Sequence, residues 1–89
     1  APMKYELSQN YPNPFNPSTT IQFSLPESGN VKLVLYNTLG QEVRTIVNES
    51  KDAGTHIINF DASGLNSGVY IYKLTTGNFS AIKKMMVIK

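Results

Sequence analysis

The chain has no cysteine, no tryptophan and a single histidine, and charged residues fill only 16% of its 89 positions. Without cysteine there are no disulfide frameworks, thiolate metal sites or cysteine nucleophiles. One histidine excludes any His-pair metal motif. No apolar run approaches the roughly 20 residues that span a bilayer, and the first residues lack a signal-peptide layout. If the domain is exported, the export signal is expected in a part of the protein beyond these residues. The net charge of +2 is too small to suggest a nucleic-acid binder, although the sequence pI is about 9.0. Charge is also too sparse, and aromatics too frequent, for an ordinary disordered tail. A chain this short buries roughly 60–65% of the surface its unfolded form exposes, enough for one modest core. Residues 1–89 are therefore read as one domain: a binding, structural or sorting module.

Asn, Ser, Thr, Gly and Pro are abundant, a balance that favours turns and strands over helices. Short apolar runs alternate with turn clusters at intervals of about 8–12 residues. The expected strands are Thr19–Leu25, Val31–Tyr36, Glu42–Val47, Thr55–Phe60, Val69–Leu74 and Phe79–Ile88. Tyr5–Ser8 is a further candidate edge strand, so residues 1–6 are either linker or edge strand. Ile21, Phe23 and Leu25 share one face of their strand, as do Val31, Leu33 and Leu35. Asn48 to Ala53 reads as a polar loop. The economical fold is all-β: a single antiparallel sandwich of about seven strands, of immunoglobulin or fibronectin-III type. Leu65 and Tyr70 bracket the last corner, which suggests a tyrosine corner with the Tyr70 hydroxyl bonded back to the corner backbone.

Residues 9–18 form a Pro/Asn-rich segment with three prolines, Pro12, Pro14 and Pro17, in six residues. Helix and central strand are both excluded there. In a polyproline II conformation Asn10, Asn13 and Asn16 would line one edge, Tyr11 would stack with Pro14 and Pro17, and Pro12 with Phe15. A string of Asn-Pro turns would instead bend the segment and scatter those faces. The segment is either a passage from the first edge strand to the second sheet, with Tyr11 and Phe15 plugging the core, or a rigid ligand for a receptor groove. The last strand places Ile82, Lys84, Met86 and Ile88 on one face and Lys83, Met85, Val87 and Lys89 on the other. Lysine on both faces serves edge protection, or offers a strand or basic patch to an acidic groove.

Residues that could carry chemistry do not converge. His56 stands in a strand without clustered carboxylates, and Asp61 before Ala62-Ser63 reads as a turn or cap. Ser63-Gly64 and Ser67-Gly68 lack a nucleophile-elbow pattern. Asn48-Glu49-Ser50 and Asn78-Phe79-Ser80 match the glycosylation acceptor pattern. Tyr36, Tyr70, Tyr72 and Phe79 could form an aromatic platform for a sugar, so a carbohydrate-binding module is one alternative and a fibronectin-like spacer another. The stronger reading places these aromatics as ordinary strand and core residues.

Taken in order, Leu7 to Lys89 resembles the type A C-terminal sorting domain of the type IX secretion system of Bacteroidota and related bacteria. The resemblance is carried by Gln9-Asn10-Tyr11-Pro12-Asn13-Pro14-Phe15-Asn16-Pro17-Ser18-Thr19, Val31 to Tyr36, Leu39-Gly40, Ala53-Gly54, Phe60-Asp61, Ser67-Gly68-Val69-Tyr70 and the closing Lys83-Lys84-Met85 to Lys89. It departs at Phe60, where the family more often has Trp. The resemblance implies a non-catalytic address label without metal or cofactor, monomeric, with no nucleic-acid partner and no direct membrane insertion. Its protein partners would be the outer-membrane type IX translocon and a surface sortase. The cargo would pass through the periplasm and end at the cell surface or outside the cell. Carried over residue by residue, the sorting positions would be Pro12, Asn13 and Pro14; Gly68 and Tyr70; and Lys83, Lys84 and Lys89. The closing lysine motif is expected to stand at the end of the protein, where a spacer would need more chain after it.

Overall fold

The computed structural model describes residues 4–88. Seven strands follow one another: β1 (Glu6–Leu7), β2 (Ser18–Leu25), β3 (Gly29–Tyr36), β4 (Glu42–Lys51), β5 (Gly54–Asp61), β6 (Gly68–Thr76) and β7 (Phe79–Val87). They form a three-stranded sheet, β1-β2-β5, and a four-stranded sheet, β4-β3-β6-β7, with every strand pair antiparallel. This is the expected β-sandwich. The pairings β2 with β5 and β3 with β6 are those of immunoglobulin-like sandwiches, while β4 stays beside β3.

Period-2 patterning decides which side of each strand is buried. Ile21, Phe23 and Leu25 of β2 face Val31, Leu33 and Leu35 of β3 and Tyr70, Tyr72 and Leu74 of β6 in one core. Val47, Phe60, Met85 and Val87 complete it from β4, β5 and β7. Phe60 is buried against the edge of Phe15, 6.5 Å between ring centres, so its phenyl ring serves as a core group.

Two expectations need correction. β4 continues through Asn48, Glu49 and Ser50, which pair with Lys32, Val31 and Asn30, so this stretch is strand and not loop. An edge strand exposes its polar side chains, which blurs the alternation that marks a strand in sequence. The Pro/Asn-rich segment also does not carry the chain to the second sheet, because β1 and β2 are neighbours in the same sheet. It leaves their ladder at Tyr11, which bridges Thr20, touches β7 at Phe15, and returns to begin β2. The remaining turns follow their residues. Asn37 Oδ1 accepts from the N–H groups of Leu39 (2.9 Å) and Gln41 (3.0 Å), an Asx-type turn closed at Gly40 with φ +82°.

Candidate functional site

The Pro/Asn-rich segment runs through bends, with its Tyr11–Pro12, Asn13–Pro14 and Asn16–Pro17 bonds all cis. The three amides do not share an edge, which settles the choice against the extended helix. Asn10 is 2% exposed, whereas Asn13 and Asn16 face solvent. Tyr11 is 81% exposed and plugs nothing; Phe15 alone enters the core, at 2% exposure.

A buried polar knot holds the segment down. The Asn10 N–H donates to the Tyr72 hydroxyl (2.8 Å), and that hydroxyl donates to the Ser8 carbonyl (2.8 Å). Asn10 Nδ2 donates to Thr19 Oγ1 (3.0 Å) and the Pro12 carbonyl (3.2 Å), while Thr19 Oγ1 donates to the same carbonyl (2.8 Å). Among the described residues no buried side-chain nitrogen or oxygen lacks a partner, as a buried network requires if it is not to destabilise the fold. Burial pushes the Tyr72 phenol up to about 12, an effect partly opposed by the Asn10 N–H.

From this anchor the segment reaches the outer edge of β7. Asn13 Oδ1 accepts from the Met86 N–H (2.9 Å). The Phe15 N–H donates to the Met86 carbonyl (3.1 Å), and the Ile88 N–H donates to the Phe15 carbonyl (3.0 Å). Gln9 Nε2 donates to the Lys84 carbonyl. These bonds occupy the outer edge of β7 from Lys84 to Ile88.

The expected sorting residues meet around this edge. Gly68 is paired with Val87, Tyr70 with Met85 and Tyr72 with Lys83 across the β6–β7 ladder. Gly68 has φ +151°, a conformation that side chains disfavour. The Tyr70 hydroxyl donates to the Asn66 carbonyl (2.8 Å), which is the expected tyrosine corner. Pro12 contributes its carbonyl to the polar knot, Asn13 bonds β7, and Pro14 is exposed between them. Lys83 and Lys84 are exposed on opposite faces of β7, while Lys89 lies outside the described residues.

Several residues of this surface were not foreseen. Ile82 is 62% exposed on the outer face of the four-stranded sheet, beside exposed Val69 and half-buried Ile71 of β6. The charge is also divided along the chain. All six carboxylates lie at or before Asp61; with four cations, residues 1–61 carry a net −2, and the four lysines of residues 62–89 give +4. The missing acids after Asp61 were legible in the sequence. The exposed isoleucine needed the strand's outer face to be known.

Elsewhere the side chains have structural roles. His56 stacks on Phe23, 5.3 Å between ring centres, with Nε2 2.7 Å from the Asp52 carbonyl. Asp61 Oδ1 accepts from the Ser63 N–H (2.8 Å), and its carboxyl is held below the usual range by Ser63, with a smaller contribution from Arg44. The four aromatics do not make a sugar platform: Tyr72 and Tyr70 are buried in the core, Phe79 stacks on Tyr5 (5.1 Å), and Tyr36 lies on the outer face. No group of His, Asp or Glu that could hold a metal occurs among the described residues.

The fold and this surface define a small β-sandwich module that presents one strand edge, half covered by its own proline segment and bordered by lysines. The family model described as the secretion system C-terminal sorting domain matches residues 9–89, and the chain belongs to that family, the sorting domains of type IX secretion. No curated protein and no solved structure gives a significant match. Membership makes the chain a C-terminal signal for secretion to the cell surface or the extracellular space, working with the type IX machinery.

Proposed function

We propose that the domain acts as a folded, non-catalytic label whose readable surface is the β6–β7 edge together with the proline segment. The cargo crosses the periplasm under its own export signal, and the outer-membrane translocon reads the label. A surface sortase then removes the label and joins the cargo to its anchor. The recognition residues are Pro12, Asn13, Pro14, Gly68, Tyr70, Lys83, Lys84 and Lys89. In this reading Gly68 and Tyr70 act by fixing the shape of the corner, because the Tyr70 hydroxyl is spent on Asn66. The observation that carries the proposal is the convergence of residues 12–14, 68–70 and 83–84, distant in sequence, on the two strands β6 and β7 of a chain that belongs to a sorting family. A label needs an unchanging surface more than it needs a cleft, and a rigid sandwich supplies one.

The test is a secretion assay in a type IX-competent bacterium, with a fluorescent reporter carrying a Sec signal fused ahead of residues 1–89. The intact fusion is expected at the surface or in the medium. Fusions with Lys83, Lys84 and Lys89 changed to Ala, or with Pro12, Asn13 and Pro14 changed to Ala, are expected to stay in the periplasm while folded. An intact fusion that folds but remains periplasmic in two competent hosts would overturn the proposal.

A further inference from the structure

The outer edge of β7 is covered along only half its length. In an antiparallel ladder the N–H and C=O of alternate residues point away from the paired strand. Met86 points both groups away from β6, since they meet Asn13 and Phe15. By the same alternation Lys84, Ile82 and Ser80 also point outward. Gln9 takes the Lys84 carbonyl, but the Lys84 N–H and both backbone groups of Ile82 and Ser80 have no protein partner among the described residues. The stretch without hydrogen-bond partners, Ser80 to Lys84, is about 16 Å long, enough for one short strand, and β1 passes near it from the other sheet without pairing to it.

Side chains around this stretch restrict what can dock. A trough of about 650 Å³ is lined by Val69, Ile71, Ile82, Lys83 and Lys84, with Gln9 at its rim. Lys73, Lys83 and Lys84 have no carboxylate within salt-bridge distance among the described residues, where the only ion pair is Lys51–Glu49. Lysines beside an open edge repel indiscriminate strand pairing, yet the same lysines favour a strand that brings carboxylates. A second copy of the chain is a poor occupant, because edge-to-edge pairing gathers the β7 lysines of both copies in one seam with no acid after Asp61 to offset them. A polyanion without a strand-forming backbone would meet the lysines but leave the outward groups of Ser80 and Ile82 unpaired.

We infer that the open half of the β7 edge, Ser80 to Lys84, is the docking site for an extended segment of a partner protein with alternating acidic and apolar residues. The segment adds as a fifth strand to the four-stranded sheet. Its backbone bonds Ser80, Ile82 and Lys84, an apolar side chain enters the trough over Ile71 and Ile82 on the outer face, and its carboxylates, on the opposite face, meet Lys83. Placing this partner in the secretion machinery rests on the sorting-signal reading; the docking site itself does not.

The experiment titrates the ¹⁵N-labelled 89-residue chain with a capped peptide of alternating Glu and Val. Poly-glutamate, an alternating Lys–Val peptide and a Glu–Val peptide interrupted by Pro serve as comparisons. The Glu–Val peptide is expected to shift the amides of Val69, Ile71, Ser80, Ile82 and Lys84 and to slow hydrogen exchange at Ile82, while the comparisons do not. Ile82→Pro removes an outward N–H and no ladder bond to β6, a position where edge strands tolerate proline, and should abolish binding. The double variant Lys83→Glu/Lys84→Glu should weaken binding by about tenfold or more, and it carries the test if the proline variant does not fold. No shifts at millimolar peptide, shifts centred elsewhere, poly-glutamate binding as well as the peptide, or peptide-independent dimers would each overturn the inference. In the reporter assay, export of wild type with a folded Ile82→Pro fusion also exported overturns the placing of this partner in the secretion machinery and leaves the sorting signal standing. Failure of the wild-type fusion itself counts against the sorting signal alone.

Discussion

Replacing Tyr72 by Phe removes one hydroxyl from the centre of the sandwich and changes almost no volume, so its effect isolates the polar knot. Two hydrogen bonds are lost, one accepted from the Asn10 N–H and one donated to the Ser8 carbonyl, both 2.8 Å. Ser8 is exposed, and water can replace its lost donor. Asn10 is buried, so its N–H is stranded. A lost bond of about 1 kcal/mol together with a stranded donor costing about 1–3 kcal/mol gives an expected destabilisation of about 2–4 kcal/mol. In a domain of this size that lowers Tm by roughly 8–32 °C. The proton provides a second, independent readout. The folded phenol titrates at about 12 against an ordinary 10.0, so the folded state holds this proton more tightly than the unfolded chain. Its contribution is complete below the unfolded value and is lost as pH rises towards the folded one. A rise of about two units corresponds to up to about 3 kcal/mol. Urea unfolding followed by far-UV circular dichroism, from neutral pH to about pH 12, should therefore show wild type losing stability on the alkaline limb and the variant losing less. The two curves should converge at the top of the range. A difference below about 0.5 kcal/mol at neutral pH with equal m-values, or a difference that stays constant through the alkaline limb, would refute the reasoning.

Tyr70→Phe, which loses the bond to the Asn66 carbonyl, should cost about 1 kcal/mol in the same denaturation assay; unchanged stability would mean that the tyrosine corner contributes nothing. Gly68→Ala meets open space but a φ of +151°, so its cost is backbone strain of about 1–3 kcal/mol, read as a lowered urea midpoint with an unchanged slope. The Asp61 carboxyl is held low by the Ser63 hydrogen bonds first and by Arg44 last. Its folded value lies below its unfolded one, so its stabilisation is present above about pH 4 and fades as pH falls through the folded value. Asp61→Asn should therefore flatten the acid limb of a pH–Tm profile, and an acid limb identical to wild type would count against this assignment.

The strands were legible because burial on one face imposes a period of two. Ile21, Phe23 and Leu25, or Tyr70, Tyr72 and Leu74, can be placed on one side without seeing the other sheet. The end of β4 was not legible for the converse reason: Asn48, Glu49 and Ser50 pair through backbone alone, and backbone pairing leaves no mark on side-chain choice at a solvated edge. The proline segment was recognisable as special but not as folded. Asn10 in a run of Asn and Pro looks solvent-facing, and its burial depends on Tyr72, which lies 62 positions away. Local propensity has no access to such a contact.

The two readings of the proline segment, passive passage and recognition element, turn out to be one arrangement. Asn10 anchors it inside, Phe15 fills the core, and Asn13 with the Phe15 backbone covers the far half of the β7 edge. A bare edge from Ser80 to Ile88 would invite pairing with any strand. Covering Met86 and Ile88 while leaving Ser80 and Ile82 bare confines pairing to a short register flanked by Lys83 and Lys84. The segment therefore contributes to recognition without having to touch the partner: by occupying half of the edge, it determines which half can be read. Changes at Pro12, Asn13 and Pro14 should on this argument impair sorting by uncovering the wrong part of β7. Their signature is new exchange at the Met86 and Ile88 amides and a tendency to self-associate, which simple loss of a contact surface would not produce.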